Sequence, residues 1–99
     1  MRNLKDISII FSSTRATNEV LNKTFEVIDQ SGSNICASFP VNKIATKQAK
    51  EKISKSDLIL VIGGDGTMIG SIRELNELNI PFLGINLGRV GFLTDINPN

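Results

Sequence analysis

Apolar side chains recur along the chain with two periods, and the changes from one to the other mark out its elements. Ile7-Ser8-Ile9-Ile10-Phe11 is a β-branched and aromatic run closed by the hydroxyl residues Ser12-Ser13-Thr14, which predicts a first strand. From about Thr17, the residues Leu21, Phe25 and Ile28 fall at i, i+4 and i+7 with Val20 and Val27 beside them. That spacing predicts an amphipathic helix, stopped at Ser31-Gly32. Residues 34–39 predict a short second strand ending at Pro40. Residues 43–55 carry five lysines and one glutamate around Ile44, Ala45, Ala49 and Ile53, the pattern of a solvated helix with one thin apolar face. Leu58-Ile59-Leu60-Val61-Ile62 is continuously apolar, as expected of a central strand covered on both faces. After Gly63-Gly64-Asp65-Gly66-Thr67, Met68, Ile72 and Leu75 recur at helical spacing, with Ile69 and Leu78 adjoining. Residues 80–85 predict another short strand, interrupted by Gly84; residues 86–95 hold Gly88 and Gly91 among apolar positions and receive no element.

Strands alternating with helices at this spacing imply right-handed crossovers and an α/β fold, a Rossmann-like, mostly parallel sheet with flanking helices. The chain is 99 residues long with 40% hydrophobic residues, which fits a single domain over residues 1–99 built on one core. In such sheets ligands bind at the carboxyl ends of strands, where the glycine cluster of residues 63–66 stands.

Charge and composition then remove whole classes of function. The formal net charge is +1, so no whole-molecule field favours nucleic acid or an anionic membrane as partner. No stretch reaches the about 18–20 apolar residues of a membrane span. Met1-Arg2-Asn3-Leu4 does not open a signal peptide, and a cytosolic, cytoplasmic protein is expected. With one cysteine and no histidine, an internal disulfide, a Cys/His zinc site and a Ser-His or Cys-His nucleophile are all excluded. Acid–base chemistry falls to Asp, Glu or Lys, and Cys36, between Ile35 and Ala37, reads as a buried, inert thiol.

The glycines of Gly63-Gly64-Asp65-Gly66 remove Cβ atoms where a strand turns into a helix, so backbone N–H groups can approach a phosphate and positive φ angles cost little. Asp65 cannot be the anion binder there, because a carboxylate repels phosphate oxygens. It can accept a proton from a sugar hydroxyl during attack on phosphorus, which makes it a candidate general base. The alternative is a plain tight turn in which Asp65 caps the following helix. The P-loop pattern is absent, since no Gly-Lys pair occurs in the chain. The dinucleotide fingerprint fails by one place, with Ile69 where the third glycine belongs and Gly70 next to it.

Gly63-Gly64-Asp65-Gly66-Thr67, together with Leu83-Gly84-Ile85-Asn86-Leu87-Gly88 and Gly91-Phe92-Leu93-Thr94-Asp95, resembles the NAD kinase family in order and spacing. The first block is shared with diacylglycerol and sphingosine kinases, and the second narrows the choice. The resemblance implies ATP and NAD as substrates, a divalent cation such as Mg²⁺, and nucleotide binding along Gly63, Gly64, Asp65, Gly66 and Thr67. It implies that Asp65 accepts the proton of the adenosine 2′-hydroxyl of NAD, that Gly66 contacts the same nucleotide, that Phe92 lies near the adenosine, and that Asn86 and Gly88 shape the pocket. Arg73 matches an arginine of the family's following helix, although a surface ion pair with Glu77 at i+4 is the favoured reading of it. Gly70 stands where relatives carry a basic side chain.

Family members continue into a second, β-rich domain that completes the site, and they assemble as homo-oligomers. These 99 residues are therefore expected to be part of a two-domain enzyme, inactive alone and exposing a surface that the other part covers. The competing readings are a lipid or sugar kinase of the same superfamily and a non-catalytic nucleotide-sensing module.

Overall fold

The computed structural model describes the backbone of residues 5–13, 15–87 and 93–96. Its elements in chain order are strand β1 (Asp6–Phe11), helix α1 (Arg15–Gln30), strand β2 (Asn34–Pro40), helix α2 (Lys47–Ile53), strand β3 (Leu58–Gly63), helix α3 (Asp65–Leu75), strand β4 (Phe82–Asn86) and strand β5 (Leu93–Ile96). They form one sheet of order β2-β1-β3-β4-β5, parallel except for β5, which runs antiparallel to β4.

The apolar strand of the sequence, β3, is the middle of this sheet, and Ile59, Leu60, Val61 and Ile62 are buried. Its alternate side chains feed two cores, as a strand covered on both sides must. Leu60 and Ile62 pack with Ile7, Ile9 and the α1 residues Leu21 and Ile28. Ile59 and Val61 pack with Ile10, with Ile53 of α2, with Met68 and Leu75 of α3, and with Phe82. The chain leaves β1 in one direction toward β2 and later proceeds the other way from β3 to β4, so the right-handed rule for parallel crossovers sends their helices to opposite faces. Between α1 and the β3–β4 face an open apolar groove of about 400 Å³ is lined by Val20, Val27, Leu60, Leu83 and Ile85, which leaves Val27 61% exposed.

The local elements depart from the periodicity in four places. Helix α2 is shorter than the 43–55 pattern, because Val41–Lys43 form a 3₁₀ turn and Thr46 is extended at φ −72°, ψ 151°. The Thr46 hydroxyl accepts the Ala49 N–H at 3.1 Å, the bond of an N-cap, so Ala45 stays exposed outside the helix. Strand β4 starts at Phe82 rather than at residue 80, since Pro81 has no N–H to give the ladder; its carbonyl accepts from Ile59 at 2.9 Å. Strand β5 departs from the sequence expectation of no element here, since Leu93-Thr94-Asp95-Ile96 carries no apolar alternation to announce it. Cys36 is half-buried rather than fully so, with its Sγ 3.7 Å from the Ser8 hydroxyl.

Two buried hydroxyls lock α2 to β1. Ser8 donates to Ser56 at 2.9 Å, and Ser56 donates to the Ile53 carbonyl at 2.5 Å. Replacing Ser56 by alanine leaves the buried Ser8 hydroxyl only its 3.7 Å contact with the weakly hydrogen-bonding Cys36 thiol, at a cost of about 1–3 kcal/mol. Each kcal/mol lowers the melting temperature of a domain this size by about 4–8 °C. The expected result is thus a drop of several degrees for Ser56→Ala in a calorimetric scan, and an unshifted transition would contradict it.

Candidate nucleotide-binding site

The two crossovers diverge between β1 and β3, and the carboxyl ends of those strands open the crevice where α/β sheets receive ligands. The ends are tied together by the backbone. Ser12 N–H donates to the Ile62 carbonyl at 3.0 Å, and Leu87 N–H, just after β4, donates to the Gly63 carbonyl at 2.9 Å. Residues from three parallel strands therefore converge on the Gly63-Gly64 turn.

Gly63 is buried at the end of β3. A Cβ added there would lie 2.6 Å from Thr67 Oγ1 and 2.7 Å from Thr67 Cβ, so the first turn of α3 can close against β3 only over a glycine. Gly64 is the N-cap of α3 at φ −94°, ψ −171°, with no side-chain cap bond. Added Cβ atoms at Gly64 and Gly66 would meet nothing within 4 Å. The glycines of this turn do not use the positive φ expected of them: positive φ among the described residues is confined to Gly32 and Asn79. The missing Cβ makes room instead: at Gly63 the chain itself fills it, and at Gly64 and Gly66 it lies open. The first-turn N–H groups of a helix have no intrahelical acceptor, and no side chain caps them here.

Asp65 is the first residue of α3 and is exposed. It is not the N-cap, which answers the capping alternative, although a carboxylate in the first turn still complements the helix dipole. Its Oδ1 accepts a 2.7 Å hydrogen bond from Nδ2 of Asn86. Asn86 ends β4, is 9% exposed, and pairs through its Cα with Gly63. On β4 it shares a face with buried Phe82 and Gly84, the face covered by α3, and this parity carries its amide to the start of that helix. Thr67 packs its side chain against Gly63, and its carbonyl accepts from Ser71 at 2.7 Å.

Gly88 and Phe92 lie outside the described residues. Arg73 is exposed on α3, but Glu77 pairs with Lys50 of α2 at 3.3 Å rather than with Arg73, and Glu74 joins the same lysine at 3.4 Å. The Glu77 hydrogen bond holds the Lys50 ammonium above the ordinary lysine range, with Glu74 adding to it. The lysine-rich face is thus not wholly solvated; one of its members clamps α2 to the C-terminal end of α3. Among the described residues no group of three or more His, Cys, Asp or Glu side chains is placed to hold a metal ion.

Residues 3–99 match the family model described as ATP-NAD kinase N-terminal domain. The chain is 39% identical over 80 residues to a protein named NAD kinase from Methylococcus capsulatus, covering 81% of this chain and 27% of that protein. It is 34% identical over 92 residues to the NAD kinase of Hahella chejuensis, covering 93% of this chain and 30% of the relative. With the NAD kinase of Marinobacter nauticus it shares 49% identity over 57 residues, 58% of this chain and 19% of that one. The chain therefore spans less than a third of the length of each of these three relatives.

Proposed function

The chain belongs to the NAD kinase family, matching its N-terminal domain, and on that premise we propose that it supplies the phosphate turn and the general base for phosphorylation of NAD to NADP. The observation that carries this reading is an exposed carboxylate, Asp65, fixed at the mouth of a turn whose outer glycines leave open space. In the proposed reaction Asp65 takes the proton of the adenosine 2′-hydroxyl while that oxygen bonds to the γ-phosphorus of ATP. The bond from γ-phosphorus to the bridging oxygen breaks, and ADP departs with the electron pair. The uncapped amides of the α3 N-terminus would take phosphate oxygens, with Gly64 and Gly66 admitting them to close range. Gly63 and Thr67 act one step back, by letting α3 begin where it does.

A divalent cation accompanies such transfers, but one carboxylate does not make a protein-held cation site, and the described residues offer no larger cluster. We therefore place the cation, Mg²⁺ by choice, on the nucleotide phosphates and assign no step to it. The short coverage of the relatives supports a pocket completed by polypeptide beyond these residues, so that the 99 residues alone are expected to bind nucleotide weakly and form no NADP. No helix among the described residues is long and apolar enough to cross a membrane; the cytosolic setting is proposed on the sequence reading alone.

The test is an acceptor panel. Incubation of the natural protein with ATP and Mg²⁺ and, separately, NAD, diacylglycerol, sphingosine and a hexose is followed by ³¹P NMR of the products. Growth of a 2′-phosphomonoester with NAD alone is the expected result. Phosphorylation of a lipid or sugar instead would transfer the site to another branch of the superfamily.

A further inference from the structure

We infer that Asn86 is a positioning residue for Asp65: its amide holds Oδ1 of the carboxylate and thereby presents the other oxygen, Oδ2, to the acceptor hydroxyl. The inference rests on the reading of Asp65 as base and adds what sets that base in place.

Asp65 by itself is poorly fixed. It is exposed at the first position of a helix, where packing does not hold a short acidic side chain to one staggered rotamer. Catalysis by proton transfer needs an oxygen within hydrogen-bond reach of one particular hydroxyl, so that freedom is a cost. Asn86 is its opposite in every respect. It is buried and stands at the end of a strand in hydrogen-bonded register with the central strand through Gly63, and the following residue, Leu87, is anchored to the same glycine.

The chemistry of the contact fixes its sense. An ionised carboxylate only accepts, so the asparagine must turn its nitrogen, not its oxygen, toward Asp65. A 2.7 Å N···O separation lies at the short end of the range for a donor on a charged acceptor. With Oδ1 taken from the strand side, Oδ2 is the oxygen left to face the crevice. The arrangement also accounts for a buried amide at a strand end, a group that costs free energy unless it is hydrogen-bonded. A side chain serving only to line a pocket would need no donor aimed at the base.

The test has two parts, both on the natural protein. In the first, Asn86→Leu keeps the approximate shape and removes the donor, while Asn86→His restores an N–H at nearly the same reach. Displacement of a reacting group by about 1 Å costs up to about 100-fold, and a smaller shift less, so a factor of about 10 to 100 is at stake. Asn86→Leu is therefore expected to lose that factor in kcat with KM for NAD and ATP changed less than about threefold, and Asn86→His to recover most of it. An unchanged kcat, or a rise in KM alone, would overturn the inference and leave Asn86 a pocket wall.

The second part does not depend on turnover or on Asn86 variants folding. The side-chain amide protons of Asn86 are followed by ¹H–¹⁵N NMR in the unmodified protein and in Asp65→Ala, a change at an exposed position. Loss of a downfield-shifted amide proton in Asp65→Ala supports the contact, and an unmoved resonance refutes it. Should Asp65→Asn retain full activity while that resonance still responds, the base assignment fails and the contact stands, so the two failures are told apart.

Discussion

Asp65→Asn is expected to lower kcat for NADP formation by about 10²- to 10⁴-fold, the usual contribution of a positioned general base, with little change in KM for either nucleotide. The reason for expecting so clean a split lies in the surroundings of Asp65. Its side chain is exposed and fills no core, so the change creates no cavity. An asparagine at this position still presents an oxygen to the Asn86 amide, so the 2.7 Å bond to β4 can persist. What is lost is the capacity to accept a proton. The exchange also removes a negative charge beside the phosphates, which if anything favours ATP binding. Circular dichroism matching the unmodified protein would accompany the loss, with stability lower by no more than the about 0.3–1 kcal/mol that a first-turn carboxylate gains from the helix dipole. A large rise in KM with kcat preserved would recast Asp65 as a binding group.

The second large effect separates the glycines of the turn. Gly63→Ala places a methyl group 2.6 Å from Thr67 Oγ1 and 2.7 Å from Thr67 Cβ, well inside contact distance. Thr67 is β-branched within the first turn of a helix and has little freedom to swing away, so β3 and α3 must separate. Overpacking of this kind costs about 1–3 kcal/mol, and for a domain of this size each kcal/mol lowers the melting temperature by about 4–8 °C. The variant should lose both stability and activity. Gly66→Ala meets nothing within 4 Å and replaces a helical glycine, so it should leave the melting temperature level or raise it. Its methyl group enters the space assigned to the nucleotide, and affinity for NAD or ATP should fall. Titration calorimetry beside thermal scans reads both quantities. Equal stability loss in the two variants would contradict the division of roles, and so would unimpaired nucleotide binding by Gly66→Ala.

Much of this architecture was legible because burial writes itself into periodicity. The continuous apolar run of β3 could only be a strand covered on both faces, and it is the middle of the sheet. Leu21 and Ile28 marked the buried side of α1 by helical spacing alone. Where sequence reasoning slipped, a short-range hydrogen bond overrode the apolar pattern: Thr46 starts α2 four residues inside the lysine-rich segment, and Pro81 delays β4. Strand β5 escaped because antiparallel pairing to β4 is a long-range decision that a four-residue segment beside glycines does not announce. At the site, the residue types were readable but their contacts were not. Nothing in the spacing of Asp65 and Asn86 states that they touch; that follows from the Gly63–Asn86 register, which places the last residue of β4 beside the first residue of α3. The same limit explains Glu77, assigned by its i+4 spacing to Arg73 yet held by Lys50 from another helix.

The most direct measurement of the central claim isolates the chemical step. Natural protein and its Asp65→Asn variant, each saturated with NAD, are mixed with ATP and Mg²⁺ in a rapid-quench instrument, and NADP formed in the first turnover is counted. The account predicts equal occupancy by NAD in the two proteins and a first turnover slower in the variant by at least about 10²-fold. A first turnover at the same rate in both would show that proton removal from the ribose hydroxyl proceeds without Asp65, and the proposed role of the carboxylate at the glycine turn would be wrong.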